Sequence, residues 1–350
     1  MSFLLIVVAL LASQGCLSFQ SLNSKSVVQK RHILTLCAET SFNKANPNMA
    51  LEGIINARDI STASDEMSIS PSKLIRTGCV SRASSSDIKH LHDEIGMKVL
   101  IDLRSPKEIE KDEDIFKGAV YSNYVDYKYD KKIKFFKTLG NAESNNRRYF
   151  ISLMNESMIR NEVFKRLKKR ARAKAFLYLG ISTLPLGSIS EKFKKKLRQI
   201  FLKHINDGGL KLLNELVLDR SGYKIAAVMK ILADVDNLPA AIYCTAGKDR
   251  TGIISMLVLS VLGATDNEIL QDYVHSDSAY ADIGDKDAVV VAMSQKDVDP
   301  KVFLRAKPDV MVHVLDYVRT RWGSINGYLD QYGFDEGWRN KMRTSMILNY

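Results

Sequence analysis

The residues with the clearest chemical potential lie in one stretch, YCTAGKDRTG, at positions 243–252. Cys244 stands six positions before Arg250, and small residues, a glycine and a second cation lie between them. An apolar run, AAIYC, leads into this stretch and another, GIISMLVLSVLG, follows it, which predicts a strand, a short loop and a buried helix. The loop then lies at a helix N-terminus, where backbone N–H groups and the helix dipole attract an anion.

Each of these residue types suits phosphate chemistry. Gly247 allows the positive-φ bend that lets successive N–H groups surround phosphate oxygens. Arg250 can donate two parallel hydrogen bonds to those oxygens. The same positive field favours the thiolate, which is the reactive form of cysteine. The loop therefore predicts attack by Cys244 on phosphorus, followed by hydrolysis of the phosphocysteine by water.

Two other interpretations of the loop explain fewer of its residues. A nucleotide-binding P-loop needs a glycine five residues before GK and a serine or threonine after it, but Ile242 and Asp249 stand there. A buried structural role is the ordinary one for a single cysteine. That role leaves the neighbouring glycine, lysine, aspartate and arginine without a purpose, so we favour a catalytic loop.

The elements around the loop predict an α/β domain, with helices and strands interleaved in three layers. The apolar run 96–105, bounded by Gly and Ser-Pro, predicts a buried strand. The stretch before it predicts a helix capped by Ser85 or Ser86 and ended by Gly96. Residues 118–127 alternate apolar and polar side chains and predict a second strand, whereas residues 131–220 are expected to be mostly helical and basic.

The motif CTAGKDRTG resembles the signature of cysteine-dependent phosphatases, specifically the bacterial-type tyrosine phosphatase family with a CxxGKDRTG loop, which includes secreted mycobacterial and listerial enzymes. Four more stretches are similar to elements of that family in the same order: GIINARDI at 53–60, the stretch 74–108, GATDNEILQDY at 263–273 and RWGSINGYLDQYGF at 321–334. The resemblance covers most of residues 51–345. It implies a three-layer cysteine-phosphatase fold, with a central, mostly parallel sheet flanked by helices and a helical lid inserted at 131–220.

The resemblance also implies the role of each site residue. Cys244 would be the nucleophile, Arg250 the phosphate clamp and Asp102 the general acid, with Asp249 as the alternative acid. An acid must reach the leaving oxygen at hydrogen-bond distance, and a structural ion pair with Arg104 is the competing role for Asp102. The residues that would bind the phosphate or order the loop are Thr245, Ala246, Gly247, Lys248, Asp249 and Thr251. The supporting residues would be Arg58, Asp59 and Arg104.

The main departure from the family pattern is Tyr243, because the family normally has histidine before the nucleophile. Tyrosine can donate one hydrogen bond but carries no positive charge. We therefore expect slower turnover than in the relatives, with the reaction type intact. Three functions stay open: a protein tyrosine phosphatase, a phosphoinositide or inositol-phosphate phosphatase, and a phosphate-binding module without activity.

The positive charge of the chain is concentrated in one segment. The net charge is +11, and fourteen Lys or Arg against three Glu lie between Glu156 and His204, which accounts for the whole excess. Cations there alternate with Phe, Leu and Ile, so an amphipathic lid could rest on an acidic membrane. We favour a lid that simply covers the core, and nucleic acid is not expected as a partner.

The first 48 residues are expected to lie outside the fold. Residues 1–20 carry a ten-residue apolar run, too short to span a bilayer, and predict a signal peptide. Residues 21–48 predict a disordered or transit-like linker, which leaves 49–350 as the phosphatase domain. This order predicts the secretory pathway or secretion, with a plastid reached through a two-part presequence as the alternative. The four cysteines do not form a disulfide framework, and no metal or cofactor is expected.

Overall fold

The computed structural model describes residues 49–281 and 305–348, apart from 65, 67, 116–118, 123, 131, 133, 134 and 140–143. These residues belong to one of two structural units, the one from Phe42 to Tyr350. The predicted signal peptide and linker, residues 1–48, lie outside the described part.

A seven-stranded sheet forms the centre of the described region, in the order β1-β2-β7-β3-β6-β4-β5. Its strands are β1 (Arg58–Asp59), β2 (Leu74–Thr77), β3 (Val99–Asp102), β4 (Val125–Asp130), β5 (Phe135–Leu139), β6 (Arg147–Phe150) and β7 (Ala240–Tyr243). The five inner strands pair in parallel, and only β1 and β5 at the edges are antiparallel. The predicted α/β class with a mostly parallel sheet is confirmed.

Strand β7 lies inside the sheet between β2 and β3, and all four of its residues are apolar and buried, as an inner parallel strand requires. Its register sets Tyr243 beside Thr77 of β2 and beside Asp102 of β3. The carboxyl ends of three parallel strands therefore meet at one edge of the sheet, where α/β proteins bind their ligands. The cysteine loop leaves the sheet at this edge.

Helices pack around the sheet. They are α1 (Ser85–Lys89), α2 (Pro106–Ile115), α3 (Glu156–Arg166), α4 (Lys169–Ser182), α5 (Ser188–Leu232), α6 (Asp249–Leu262), α7 (Asp266–Ala281), α8 (Pro308–Trp322), α9 (Ile325–Gln331) and α10 (Glu336–Met346). Helix α6 is buried over almost its whole length, as its apolar sequence predicts. Helix α5 bends at Gly209, whose φ of 55° is not helical. Among the described helices, none carries an apolar stretch long enough to cross a bilayer.

Three local predictions need correction. Residues 131–220 contain the strands β5 and β6, so the helical part begins only at Glu156. Charged side chains interrupt the apolar alternation that would predict these two strands. They are tolerated because this end of the sheet is only partly buried. Strand β4 begins at Val125, after a 3₁₀ turn. The cap of α1 is Ser84, which exchanges hydrogen bonds with Asp87 in a capping box.

Candidate active site

The loop that follows β7 holds the cysteine inside a closed turn. Cys244 is buried, at 2% exposure. The Gly247 N–H donates to its sulfur at 3.2 Å, and α6 begins at Asp249, five residues after the cysteine. The thiol therefore lies within the curve of the loop, at the positive end of an almost fully buried helix.

Three consecutive carbonyls of this loop are bound from outside it. The donors are the Cys79 N–H to Thr245 O at 3.1 Å, Asn56 Nδ2 to Ala246 O at 3.0 Å and an Arg76 guanidinium nitrogen to Gly247 O at 3.0 Å. In a trans peptide the N–H points opposite to the C=O of the same unit. The N–H groups of Ala246, Gly247 and Lys248 are thereby turned inward. The result is a nest of donors that can bind an anion beside the sulfur.

Gly247 is required by both conformation and space. Its φ is +65°, a region that side chains rarely adopt. A Cβ there would lie 2.4 Å from the carbonyl carbon and oxygen of Thr77. The close approach of the loop to the end of β2 therefore depends on this glycine.

A buried ion cluster holds the donors that shape the loop. Asp272 on α7 accepts from Arg58 Nε at 2.9 Å and pairs with Arg76. Arg58 also donates to Asn56 Oδ1 at 2.6 Å. Burial alone would raise the pKa of Asp272, but the charges of the two guanidiniums outweigh it and hold that pKa below its ordinary value. The anchored loop carbonyls of Ala246 and Gly247 thus depend on one buried carboxylate.

The phosphate-clamp candidate, Arg250, is oriented by Glu108 of α2. The two terminal nitrogens of Arg250 donate to the two Glu108 oxygens at 2.8 and 2.7 Å. Thr245 Oγ1 donates to the same carboxylate at 2.5 Å, and Glu108 also accepts from the Ser105 N–H at the start of α2. Burial would raise the pKa of Glu108, but the charge of Arg250 and these hydrogen bonds lower it far below its ordinary value.

Asp102 is engaged in a different contact. Its carboxylate is fully buried and accepts three bonds from the Arg104 guanidinium, at 2.7 to 3.1 Å, and a fourth from the Arg104 N–H. Arg104 also donates to Cys79 Sγ at 2.9 Å. The Asp102–Arg104 ion pair thus links the end of β3 to Cys79, which follows β2. It is the structural ion pair that the sequence left open as the alternative role of Asp102. In this geometry the oxygens of Asp102 are not available to a leaving group.

Asp249, the alternative acid, has a more open environment. Its Oδ1 is buried and has no hydrogen-bond partner among the described residues. Its Oδ2 lies 3.8 Å from Lys248 Nζ. Burial raises the pKa of Asp249, against the charges of Lys248, Arg250 and Arg76. A protonated carboxyl is therefore retained to higher pH than in an exposed aspartate.

The remaining predicted residues differ in how near they lie to the loop. Lys248 is buried, and its Nζ donates to the Arg305 carbonyl at 3.4 Å. Thr251 is fully buried, and within the described region its hydroxyl has no partner. Asp59 accepts from the N–H groups of Ser61 and Ser72, at the two ends of the long turn between β1 and β2. Its carboxylate therefore orders that turn and makes none of the described bonds to the loop.

The side chain of Tyr243 belongs to the hydrophobic core. It packs in a buried cluster with apolar residues such as Ile54, Leu91 and Met97, with the Arg104 guanidinium 5.6 Å from its ring. Its hydroxyl is buried without a partner in the part of the chain that is described. Burial raises the pKa of this phenol well above its ordinary value. The residue before Cys244 thus serves the core.

Four residues of the site were missed as site residues although they lie in the stretches that carry the resemblance: Asn56, Arg76, Glu108 and Asp272. One signal was present in the sequence. Arg76 interrupts the apolar strand LIRT, and a buried arginine in a strand requires an acidic partner. The identity of that partner, almost 200 residues away, could not be read from spacing.

A nucleophilic cysteine in an anion-binding loop, between a central parallel strand and a buried helix, is the arrangement of cysteine-dependent phosphatases. The chain belongs to the tyrosine phosphatase family, whose family model matches residues 49–348. This match confirms the resemblance inferred from the loop and its flanking elements. Among the described residues, no group of His, Cys, Asp and Glu side chains is arranged to hold a metal ion.

Two named relatives are similar to part of the chain. A predicted tyrosine-protein phosphatase of Cupriavidus necator is 31% identical over 90 residues, which are 25% of this chain and 32% of the relative. The triple specificity protein phosphatase PtpB of Mycobacterium tuberculosis is 27% identical over 124 residues, 31% of this chain and 44% of the relative. The chain thus matches less than half the length of either relative.

Proposed function

We propose that this protein hydrolyses phosphate monoesters through a phosphocysteine intermediate. The observation that carries this proposal is the position of the Cys244 sulfur inside a loop whose carbonyls are bound outward. The thiolate attacks phosphorus, the bond from phosphorus to the leaving oxygen breaks, and an acid protonates that oxygen. Water then attacks phosphorus, the S–P bond breaks, and inorganic phosphate leaves. Arg250 and the inward N–H groups stabilise the equatorial oxygens in both steps.

We propose Asp249 as the acid of the first step and the base of the second. Its support is a carboxyl with an unpaired oxygen next to the loop and a pKa raised by burial. An acid with a raised pKa stays protonated to higher pH and can still give its proton to the leaving oxygen there. Asp102 is the weaker candidate, because Arg104 already binds both of its oxygens.

The substrate class that we propose first is phosphotyrosine in proteins. The family assignment and the printed names of both relatives support it. A phosphoinositide or inositol phosphate is the second candidate, and the buried Lys248 beside the loop favours it. An extra cation next to the reacting phosphate suits a substrate that carries several phosphates.

A panel of three substrates separates these possibilities. Wild type and Cys244→Ser are assayed for phosphate release from a phosphotyrosine peptide, a phosphoserine peptide and phosphoinositide vesicles. We expect the highest kcat/KM on phosphotyrosine and no turnover by Cys244→Ser on any substrate. If wild type were as inactive as Cys244→Ser while both bound phosphopeptide, the protein would be a binding module and the proposed reaction would be wrong.

A further inference from the structure

The helical hairpin made of α4 and the first turns of α5 exposes apolar side chains at its end. Six large hydrophobic residues are 45–58% exposed within 14 positions: Phe176, Leu177, Leu179, Leu184, Leu186 and Ile189. We call residues 176–189 the hairpin tip. Few large hydrophobic side chains elsewhere in the described region are this exposed. Such a concentration of exposed apolar side chains is typical of an interaction surface.

Several polar groups at the hairpin tip are hydrogen-bonded to one another. Ser190 Oγ donates to the Leu184 carbonyl at 2.5 Å and accepts from the Leu186 N–H at 3.2 Å. The hydroxyls of Ser182 and Thr183 donate to carbonyls three residues earlier. Internal pairing of the backbone is what a turn needs in order to enter an apolar medium.

The two helices are held together at the base of the hairpin tip. The rings of Tyr178 and Phe193 meet edge to face at 5.2 Å, and Lys196 lies over both of them. Nearer the domain, Ala175 of α4 is buried in a cluster with Val163 and Leu167. The hairpin is thus a self-supported projection whose base is packed and whose end is exposed.

Cations surround the hairpin directly behind the tip. Eight of them are exposed: Lys168, Lys169, Arg170, Lys174, Lys192, Lys194, Lys195 and Arg198. We call these eight residues the basic collar. Between Lys168 and Arg198 there are ten Lys or Arg and only one acid, Glu191. Apolar side chains at the end and positive charge behind them form two successive layers along the hairpin axis.

We propose that the hairpin tip inserts into the surface of an acidic lipid bilayer, with the basic collar at the level of the headgroups. From Phe176 to Ser182 the helix advances about 9 Å, at roughly 1.5 Å per residue. That length fits the ~5–10 Å to which interfacial helices bury their apolar face. Lys and Arg near an anionic surface add about 1 kcal/mol each to binding, so the basic collar favours acidic over neutral lipid.

The charge of the basic collar also argues against a second copy of this chain as the occupant. A symmetric contact between two tips would bring two basic collars together, and like charges at close range repel. A bilayer containing phosphatidylserine supplies both an apolar layer and the opposite charge. Membrane attachment through the hairpin does not depend on the reaction at Cys244.

The test is flotation of the full chain with vesicles of phosphatidylcholine alone or with phosphatidylserine, at about 0.15 M salt. We expect binding only to the acidic vesicles. Leu177→Glu combined with Leu184→Glu should weaken it at least about tenfold, because two apolar contacts are lost and two negative charges face the lipid. The matched control is Val235→Glu combined with Leu348→Glu. These two positions lie outside the hairpin and are 54% and 51% exposed.

Hydrolysis of a soluble phosphate ester at the wild-type rate checks that the tip variant is folded. Replacing Lys192, Lys194 and Lys195 by glutamine should weaken the preference for acidic vesicles, because three of the eight collar cations are removed, while hydrolysis of the soluble ester continues. The proposal is overturned if wild type fails to bind acidic vesicles, or if the tip variant binds as well as the control. It is also overturned if analytical ultracentrifugation finds a dimer that the tip substitutions dissociate, since the tip would then bind a second copy.

Discussion

Replacing Glu108 by glutamine tests whether this carboxylate positions Arg250 for catalysis. In the structure both terminal nitrogens of Arg250 are bonded to Glu108, and Thr245 donates to it as well. The Nε–H of the guanidinium and the outer hydrogens of its terminal nitrogens remain for a phosphate. Glu108 is thus placed to fix the plane of the guanidinium while phosphate binds at its free edge.

The expected loss follows from the bonds removed. A hydrogen bond between charged groups contributes about 1.5–3 kcal/mol, and the substitution turns one of the two accepting oxygens into an NH₂ group that faces a guanidinium N–H. Water offsets part of this loss, because the Glu108 side chain is 18% exposed. We therefore expect a net cost of about 1.4–2.8 kcal/mol in transition-state binding, a roughly 10–100-fold fall in kcat/KM.

The assay measures kcat, KM and inhibition by inorganic phosphate for wild type, Glu108→Gln and the control Glu110→Gln on the same helix. Glu110 is exposed, so its variant should match wild type. Phosphate should inhibit Glu108→Gln less strongly than wild type. The opposite result, a lower KM and tighter inhibition by phosphate, would mean that Glu108 competes with phosphate for Arg250, and the positioning role would be refuted.

Three further substitutions follow from the geometry. Asp249→Asn should lower kcat about 10²–10⁴-fold on phosphotyrosine, and less on an ester with a good leaving group. In wild type the rate should fall as pH rises through the raised pKa of this carboxyl. The pH–rate profile of the variant should lack that fall. Gly247→Ala should abolish activity, because its Cβ would meet backbone at 2.4 Å, whereas Gly180→Ala, in open space, should not. Asp272→Asn leaves two arginines buried without their charge partner and should cost about 3–5 kcal/mol of unfolding free energy in urea, unlike the half-exposed Asp330→Asn. Because the pKa of Asp272 is depressed in the fold, this stability is present above the unfolded pKa and is lost as pH falls towards the folded pKa, so the difference between wild type and variant should shrink in acid.

The reactive loop could be predicted because its information is local. Cys244, Gly247 and Arg250 lie within seven positions, and the apolar runs on either side determine that a strand enters the loop and a helix leaves it. The same apolar runs explain why β7 and α6 are buried. Residue order was therefore sufficient for the strand–loop–helix arrangement and the α/β class, and the roles of Cys244 and Arg250 stay predictions.

The groups that shape the loop from outside could not be predicted in this way. Asp272 reaches Arg58 and Arg76 across 214 and 196 positions, and only the folded chain shows this pairing. The preference for Asp102 over Asp249 as the acid came from the family resemblance of the IDLR stretch. Sequence alone could not show that the Arg104 guanidinium occupies both of the Asp102 oxygens.

The central claim is that phosphate passes through the sulfur of Cys244. Rapid quenching of the enzyme during turnover of a phosphate ester with a good leaving group, followed by mass spectrometry of its peptides, tests this directly. We predict a mass increase of one phosphoryl group on the peptide that contains Cys244, absent from the Cys244→Ser variant, which should also be inactive. A phosphoryl group found on another residue, or undiminished turnover by Cys244→Ser, would contradict the mechanism.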